Sequence, residues 1–268
     1  MEHIIGFLGG GNMAGAMIGG LLKTTDPARI RVADRHPEKL EHFAEAGVRT
    51  YEGPGDWVTE CTLLVLAVKP QNMKEAVEPY VPFLNPEGCA LSIAAGIEAS
   101  ALSAWLGGYR VLRAMPNTPA LVGCGMTGFW APEGTPDEML AAALAVLKAS
   151  GDVVRVPDEN GIDLVGAIPG SGPAYVFRFM EALEAAGLKR GLDPKAARSL
   201  ALGTVYGAAM LARSSDEPFS RLREKVTSKG GTTAKALEVM NARDVDGMMD
   251  EAIEAALKRT AEMKALFR

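Results

Sequence analysis

Near its start the chain carries the stretch that most restricts how it can fold. An apolar run, Ile4-Ile5-Gly6-Phe7-Leu8, passes into Gly9-Gly10-Gly11-Asn12-Met13-Ala14 and then into small residues at helical spacing. Strand, glycine turn and helix in that order open a βαβ unit. Read as G-x-G-x-x-A, the turn puts Gly9 at the tight bend, Gly11 where a pyrophosphate would lie on bare backbone, and Ala14 where helix and sheet must approach closely. The N–H groups opening the helix, from Asn12 and Met13 onward, would face the phosphates. A second short strand, Ile30-Arg31-Val32-Ala33, ends at Asp34, some 25 positions after Gly9, about where an acidic residue takes the ribose hydroxyls. Glycine turns also follow strands for steric reasons alone, so a merely structural turn is the competing reading. The spacing to Asp34 favours a dinucleotide site.

The strand pattern continues after that unit. Pro37 opens a helix expected to reach Ala46, with Gly47 closing it, and Val48-Arg49-Thr50 reads as a short strand. Thr62-Leu63-Leu64-Val65-Leu66-Ala67-Val68 is continuously apolar, as a parallel strand buried on both faces should be. It ends at Lys69-Pro70-Gln71-Asn72, before a helix over Met73 to Phe83. Strands Ala90–Ala94 and Val111–Ala114 end at Ala95-Gly96-Ile97 and at Met115-Pro116-Asn117-Thr118-Pro119. In an open parallel sheet ligands bind beyond the carboxyl ends of the strands, so these loops are expected beside the Gly9 to Ala14 turn. Met126–Trp130 reads as a strand. Thr135-Pro136-Asp137-Glu138 reads as N-cap, N1 proline and capping-box acid, and Asp152–Val156 is the last strand. The domain boundary is placed near residue 160, giving domains 1–160 and 161–268.

Beyond that boundary the periodicity is helical. Val176, Phe179, Met180 and Leu183 form one stripe after Pro173, Asp193-Pro194 caps a helix with a small-residue face, and a long final helix spans about Val245 to Leu266. An alanine-rich helical region of this size makes a thin core alone, so burial against a second subunit is expected, and a homodimer at least. The fold class is therefore α/β: a doubly wound sheet followed by an all-helical domain.

Composition excludes several function classes. A formal net charge of −5 provides no global basic field for nucleic acid or an anionic membrane. No run of about 18 apolar residues marks a membrane span, and no leader is visible. Three scattered cysteines, Cys61, Cys89 and Cys124, argue against a disulfide framework, and the three histidines lack metal-ligand spacing. A cytoplasmic protein without a metal is expected.

Two glycine-bearing stretches in the helical half need explanation. Pro169-Gly170-Ser171-Gly172-Pro173-Ala174-Tyr175 reads as a hinge with a helix start. Ser228-Lys229-Gly230-Gly231-Thr232-Thr233 leads into a helix, and glycines followed by hydroxyl residues at such a point form an anion nest suited to a carboxylate. A capped tight turn would use one glycine and one threonine and leave the second of each unexplained. No Ser-His-Asp or Cys-His set supports nucleophilic catalysis. Hydride transfer asks less of the side chains, because the cofactor carries the difficult step. A protonated imine would need only a hydroxyl donor and a carboxylate clamp, which Thr233 and Ser228 to Thr232 could supply.

Six motifs in register now carry a resemblance that spans essentially the whole chain: Gly9 to Ala14, Ala67-Val68-Lys69-Pro70-Gln71, Ala94 to Ile97, Arg113 to Ala120, Gly170 to Tyr175 and Ser228 to Thr233. In that order they resemble the pyrroline-5-carboxylate reductases. The resemblance implies reduction of L-1-pyrroline-5-carboxylate to L-proline, the last step of proline biosynthesis, with NADPH or NADH, in a Rossmann-like domain joined to a helical dimerisation domain. It implies that the nicotinamide lies near Ala67, Val68, Lys69, Pro70, Ala95, Gly96 and Asn117. The substrate carboxylate would meet Ser228, Gly230, Gly231 and Thr232, and Thr233 would donate to the ring nitrogen as the catalytic hydroxyl.

Two positions depart from the family pattern: Pro169 stands for the usual serine and Lys229 for the usual proline. Lys229 is expected to point to solvent rather than into the nest. Asp34 favours NADH through the 2′-hydroxyl and Arg35 suits a 2′-phosphate, so both cofactors are expected to work. The β-hydroxyacid dehydrogenases resemble this chain in outline but need a lysine early in the helix after their glycine motif, where Ala174-Tyr175-Val176-Phe177 stand here. A dinucleotide sensor without catalysis is the other alternative, and it has no use for the Gly230 to Thr233 nest.

Overall fold

The structure, a computed structural model, describes residues 3–267. Among them are β1 (Ile5–Leu8), β2 (Ile30–Ala33), β3 (Arg49–Tyr51), β4 (Leu63–Leu66), β5 (Cys89–Ser92), β6 (Val111–Met115), β7 (Gly125–Trp130) and β8 (Gly151–Arg155). They form one sheet in the order β3-β2-β1-β4-β5-β6-β7-β8. Pairing is parallel from β3 through to β6, and the order reverses between β1 and β4. The β6–β7 pair is antiparallel, with Arg113 opposite Trp130. Only Pro116 to Cys124 join those two strands, too short a link for the crossover that a parallel pair requires. β8 is again parallel to β7.

All residues of β1, β2, β4 and β5 are buried, which is why Leu63 to Leu66 read as an unbroken apolar run. The twofold period of a strand sends alternate side chains to opposite faces. Phe7, Leu63 and Val65 join a core with Met17, Ile18 and Leu147, whereas Leu8, Leu64 and Leu66 join one with Trp57, Met73, Tyr80 and Leu102. The covering helices are α1 (Asn12–Leu21), α2 (Glu41–Glu45), α3 (Met73–Val77), α4 (Ala99–Trp105), α5 (Asp137–Lys148) and α6 (Gly161–Val165).

Three local expectations change. The helix expected from Pro37 is a 3₁₀ turn, Pro37–Lys39, followed by the short α2. After α3 the chain tightens into a 3₁₀ segment, Glu78–Phe83, because Pro79 and Pro82 bring no N–H to an α-helical ladder. Thr135 does not cap α5: its hydroxyl donates to the Pro132 carbonyl at 2.6 Å, and Pro136 occupies the cap position without a side-chain bond.

The remaining helices are α7 (Gly172–Leu188), α8 (Pro194–Arg213), α9 (Phe219–Lys225), α10 (Thr232–Ala242) and α11 (Val245–Ala265). Asp193 caps α8 as expected, accepting from the amides of Lys195 and Ala196 at 3.1 Å each. The chain divides into two compact units: one ends at Ser171 and takes back the chain from Ala256, and the other is Gly172–Ala255. This division falls later than residue 160 because α6 and the π-turn Gly166–Gly170 lie on the sheet. A Cβ on Gly128 of β7 would come within 2.4 Å of the Val165 side chain. The end of α11 is anchored there too, with Lys264 Nζ 2.5 Å from Asp163 Oδ2 and 3.7 Å from Glu98 Oε1.

The helical unit buries little. Ala197 and Ala201 are buried, while α7 and α10 contain no buried residue. Phe177, Leu200 and Tyr206 are each more than half exposed. An isolated soluble unit rarely exposes so many large apolar side chains. Among the described residues no helix is long and apolar enough to cross a membrane.

Candidate active site

The glycine turn sits at the point where the strand order reverses. Gly9 has φ +104°, its N–H donates to the Ala33 carbonyl at 2.7 Å, and a Cβ there would lie 2.8 Å from the Ala67 carbonyl oxygen. Both the backbone angle and the contact with the end of β4 require glycine. Gly11 is different: it has ordinary extended angles, and a Cβ on it would meet nothing within 4 Å. Its open side faces a cleft of about 490 Å³. Gly11 caps α1 without a side-chain bond, and the first turn of α1 carries no acid. The N–H groups of Asn12, Met13 and Ala14 have no acceptor within the helix, and the positive end of the helix dipole adds to them. The arrangement fits a dinucleotide pyrophosphate.

Asp34 closes the other side of the turn. Its Oδ2 accepts from the Gly10 N–H at 2.9 Å, while Oδ1 accepts from the His36 N–H at 3.0 Å and lies 3.5 Å from Lys39 Nζ. A carboxylate has about four acceptor positions, so capacity is left for ribose hydroxyls. Arg35 is exposed, its Nε donating to His36 Nε2 at 3.3 Å. Tyr80 lines the same cleft. Burial, with the Asp34 charge second, pushes its phenol up to about 12, so it stays protonated and able to donate.

The cleft thus brings together Gly9, Gly11, Asp34, Arg35, Ala67, Val68 and Lys69. Asn12, Met13, Ala14, Pro70, Ala95, Gly96 and Asn117 do not line it. Ala14 is fully buried under the turn. Gly96, with φ +72°, turns the chain after β5 against Met263. Asn117 is buried, its Oδ1 accepting from the Met126 N–H and its Nδ2 donating to the Pro169 carbonyl, both at 2.9 Å. Those bonds leave its side chain tying β7 and the π-turn together. Sequence reasoning passed over Lys39 and Tyr80. Lys39 is carried back towards Asp34 by the 3₁₀ turn Pro37–Lys39, of which only the proline start shows in the sequence.

In the helical unit, the Gly231 N–H donates to the Ser228 carbonyl at 3.0 Å, and Gly230 supplies the left-handed residue, φ +73°. α10 begins at Thr232 with Gly231 as a cap that offers no side chain. The amides of Thr232, Thr233 and Ala234 therefore open outward, and both threonine hydroxyls are on exposed residues. Lys229 is exposed. Lys235 is paired with Glu238 at 2.9 Å. The turn offers what a small carboxylate needs: backbone donors at a helix start and hydroxyls beside them. The buried thiols offer no nucleophile: desolvation pushes Cys61 and Cys89 up to about 12.

Comparison with known proteins agrees with both halves. Residues 159–263 match the sequence model described as pyrroline-5-carboxylate reductase dimerisation, and residues 4–96 match the one described as NADP oxidoreductase coenzyme F420-dependent. The chain is 42% identical to the pyrroline-5-carboxylate reductase of Haemophilus influenzae, over 100% of both chains. It is similar to the solved structure of a pyrroline-5-carboxylate reductase from Coxiella burnetii, with 36% identity, a TM-score of 0.94 and coverage of 98% of this chain and 99% of that one. The Plasmodium falciparum pyrroline carboxylate reductase, solved with NADP bound, is 25% identical with a TM-score of 0.83, covering 98% and 99%. Full-length identity of this order, joined to the glycine turn and the Ser228 to Thr233 nest, places the chain in the pyrroline-5-carboxylate reductase family of oxidoreductases.

Proposed function

We propose that this chain reduces the C=N bond of L-1-pyrroline-5-carboxylate to give L-proline, using NADPH or NADH. The observation that carries the reading is the full-length identity to a reductase of that name, and the bare donor face at Gly11 supports it. When bound, the reduced nicotinamide supplies the hydride. The amides from Asn12 to Ala14 hold the pyrophosphate, and Asp34 and Arg35 hold the adenosine ribose. The loops at Ala67 to Pro70, Ala95-Gly96 and Asn117 flank the nicotinamide.

Ser228, Gly230, Gly231 and Thr232 clamp the substrate carboxylate through backbone N–H groups and hydroxyls. Such a clamp holds the substrate ring in one orientation, the orienting contribution to rate. The Thr233 hydroxyl donates to the ring nitrogen, where electron density arrives as the carbon accepts hydride. Hydride addition to the protonated imine returns the electron pair to nitrogen and leaves a neutral secondary amine, which then takes up a proton from solvent to give the ordinary ammonium form of proline. The protein works as a homo-oligomer, a dimer or a multimer of dimers, in the cytoplasm, without nucleic acid or membrane partners. Substrate-dependent oxidation of NADPH, with proline identified as product, tests the reading; a chain that oxidises NADPH only with other cyclic imines contradicts it.

A further inference from the structure

The cleft that receives the adenosine ribose carries both signals for cofactor choice within one turn of chain. Asp34 would accept from the 2′- and 3′-hydroxyls of NADH, and a fixed carboxylate there repels the 2′-phosphate of NADPH. Its position is fixed by the Gly10 and His36 amides. It does not act alone, because Lys39 Nζ stands 3.5 Å from the same Oδ1. Lys39 and Arg35 line the cleft, and among the described residues Arg35 forms no ion pair. The other carboxylates of the lining are Glu52 and Glu75, and the other cation is Lys69.

From this geometry we infer that Lys39 sets the cofactor range of this enzyme. Its ammonium offsets the Asp34 charge, so a 2′-phosphate is tolerated next to a carboxylate built for the hydroxyl and is gripped by Arg35, whose planar fork suits phosphate oxygens. Asp34 keeps its acceptor positions for NADH, and both cofactors bind. Lys39 is a specificity determinant that acts through Asp34. The inference rests on the reading that this cleft holds the adenosine ribose.

Binding separates the two. Dissociation constants for NADP⁺ and NAD⁺ are measured by calorimetry on the full-length chain, with thermal melting as a check on folding. Lys39→Met should weaken NADP⁺ about tenfold and leave NAD⁺ within about twofold. Adding Asp34→Asn to Lys39→Met should restore NADP⁺ binding, since the charge that Lys39 offsets is gone; the two effects are then non-additive. Equal weakening of both cofactors, or no recovery in the double variant, would overturn the inference while leaving the cofactor site in place. If the unaltered chain binds neither cofactor, the reading of the cleft fails, and this inference with it.

Discussion

The Gly10 amide donates to Asp34 Oδ2 at 2.9 Å, so the glycine turn after β1 and the acidic end of β2 form one rigid frame. A charged hydrogen bond of this kind is worth about 1.5–3 kcal/mol. Asp34→Ala removes it along with the ribose acceptor. NAD⁺ affinity, read by calorimetry, should fall at least tenfold, and the melting temperature should drop as well. Unchanged NAD⁺ binding would contradict the placement of the ribose.

Two glycines of the turn should respond oppositely. Gly9→Ala puts a Cβ 2.8 Å from the Ala67 carbonyl at φ +104°, a combination expected to cost about 1–3 kcal/mol of stability. Gly11→Val adds a side chain where nothing stands within 4 Å. Its melting temperature should stay near that of the unaltered chain while cofactor affinity falls at least tenfold. Denaturant titration and calorimetry on both variants separate a folding defect from a filled site.

Lys264 is a structural counterpart. It is 9% exposed and faces Asp163 and Glu98. Lys264→Met removes the cation that Asp163 faces at 2.5 Å, and breaking a largely buried pair in this way costs about 3 kcal/mol. Urea unfolding should show a loss of that order, and a loss below about 1 kcal/mol would mean the pair is solvated.

The thiols should divide by burial. Cys61 and Cys89 are buried and pushed up to about 12, whereas Cys124 is exposed. Both shifts raise the thiol, so the reactive thiolate stays scarce until pH approaches 12. A thiol reagent at pH 8 should modify Cys124 first and reach the other two only on unfolding, as mass spectrometry of the labelled peptides would show.

Much of this was legible in the residues, for physical reasons that differ from element to element. Leu63 to Leu66 could be read as a buried parallel strand because burial on both faces leaves no polar position. Gly9 and Gly11 could be read because a dinucleotide turn demands glycine for two separate reasons, one of conformation and one of access. Thr135 was misleading: its capping pattern is local, while its hydroxyl is taken by a turn three residues upstream. Lys39 was missed because its meaning depends on a 3₁₀ turn folding it back onto Asp34, a distance that composition does not encode. Val165 packs on Gly128 of β7, a tertiary contact that a change of periodicity near residue 160 cannot report.

The Thr233 hydroxyl carries the most specific chemical claim, and single-turnover kinetics with L-1-pyrroline-5-carboxylate test it most directly. In Thr233→Ala, hydride transfer should slow by about 10² or more, with NADP⁺ affinity unchanged and proline still the product. A Thr233→Ala enzyme that transfers hydride at the unaltered rate would contradict the account.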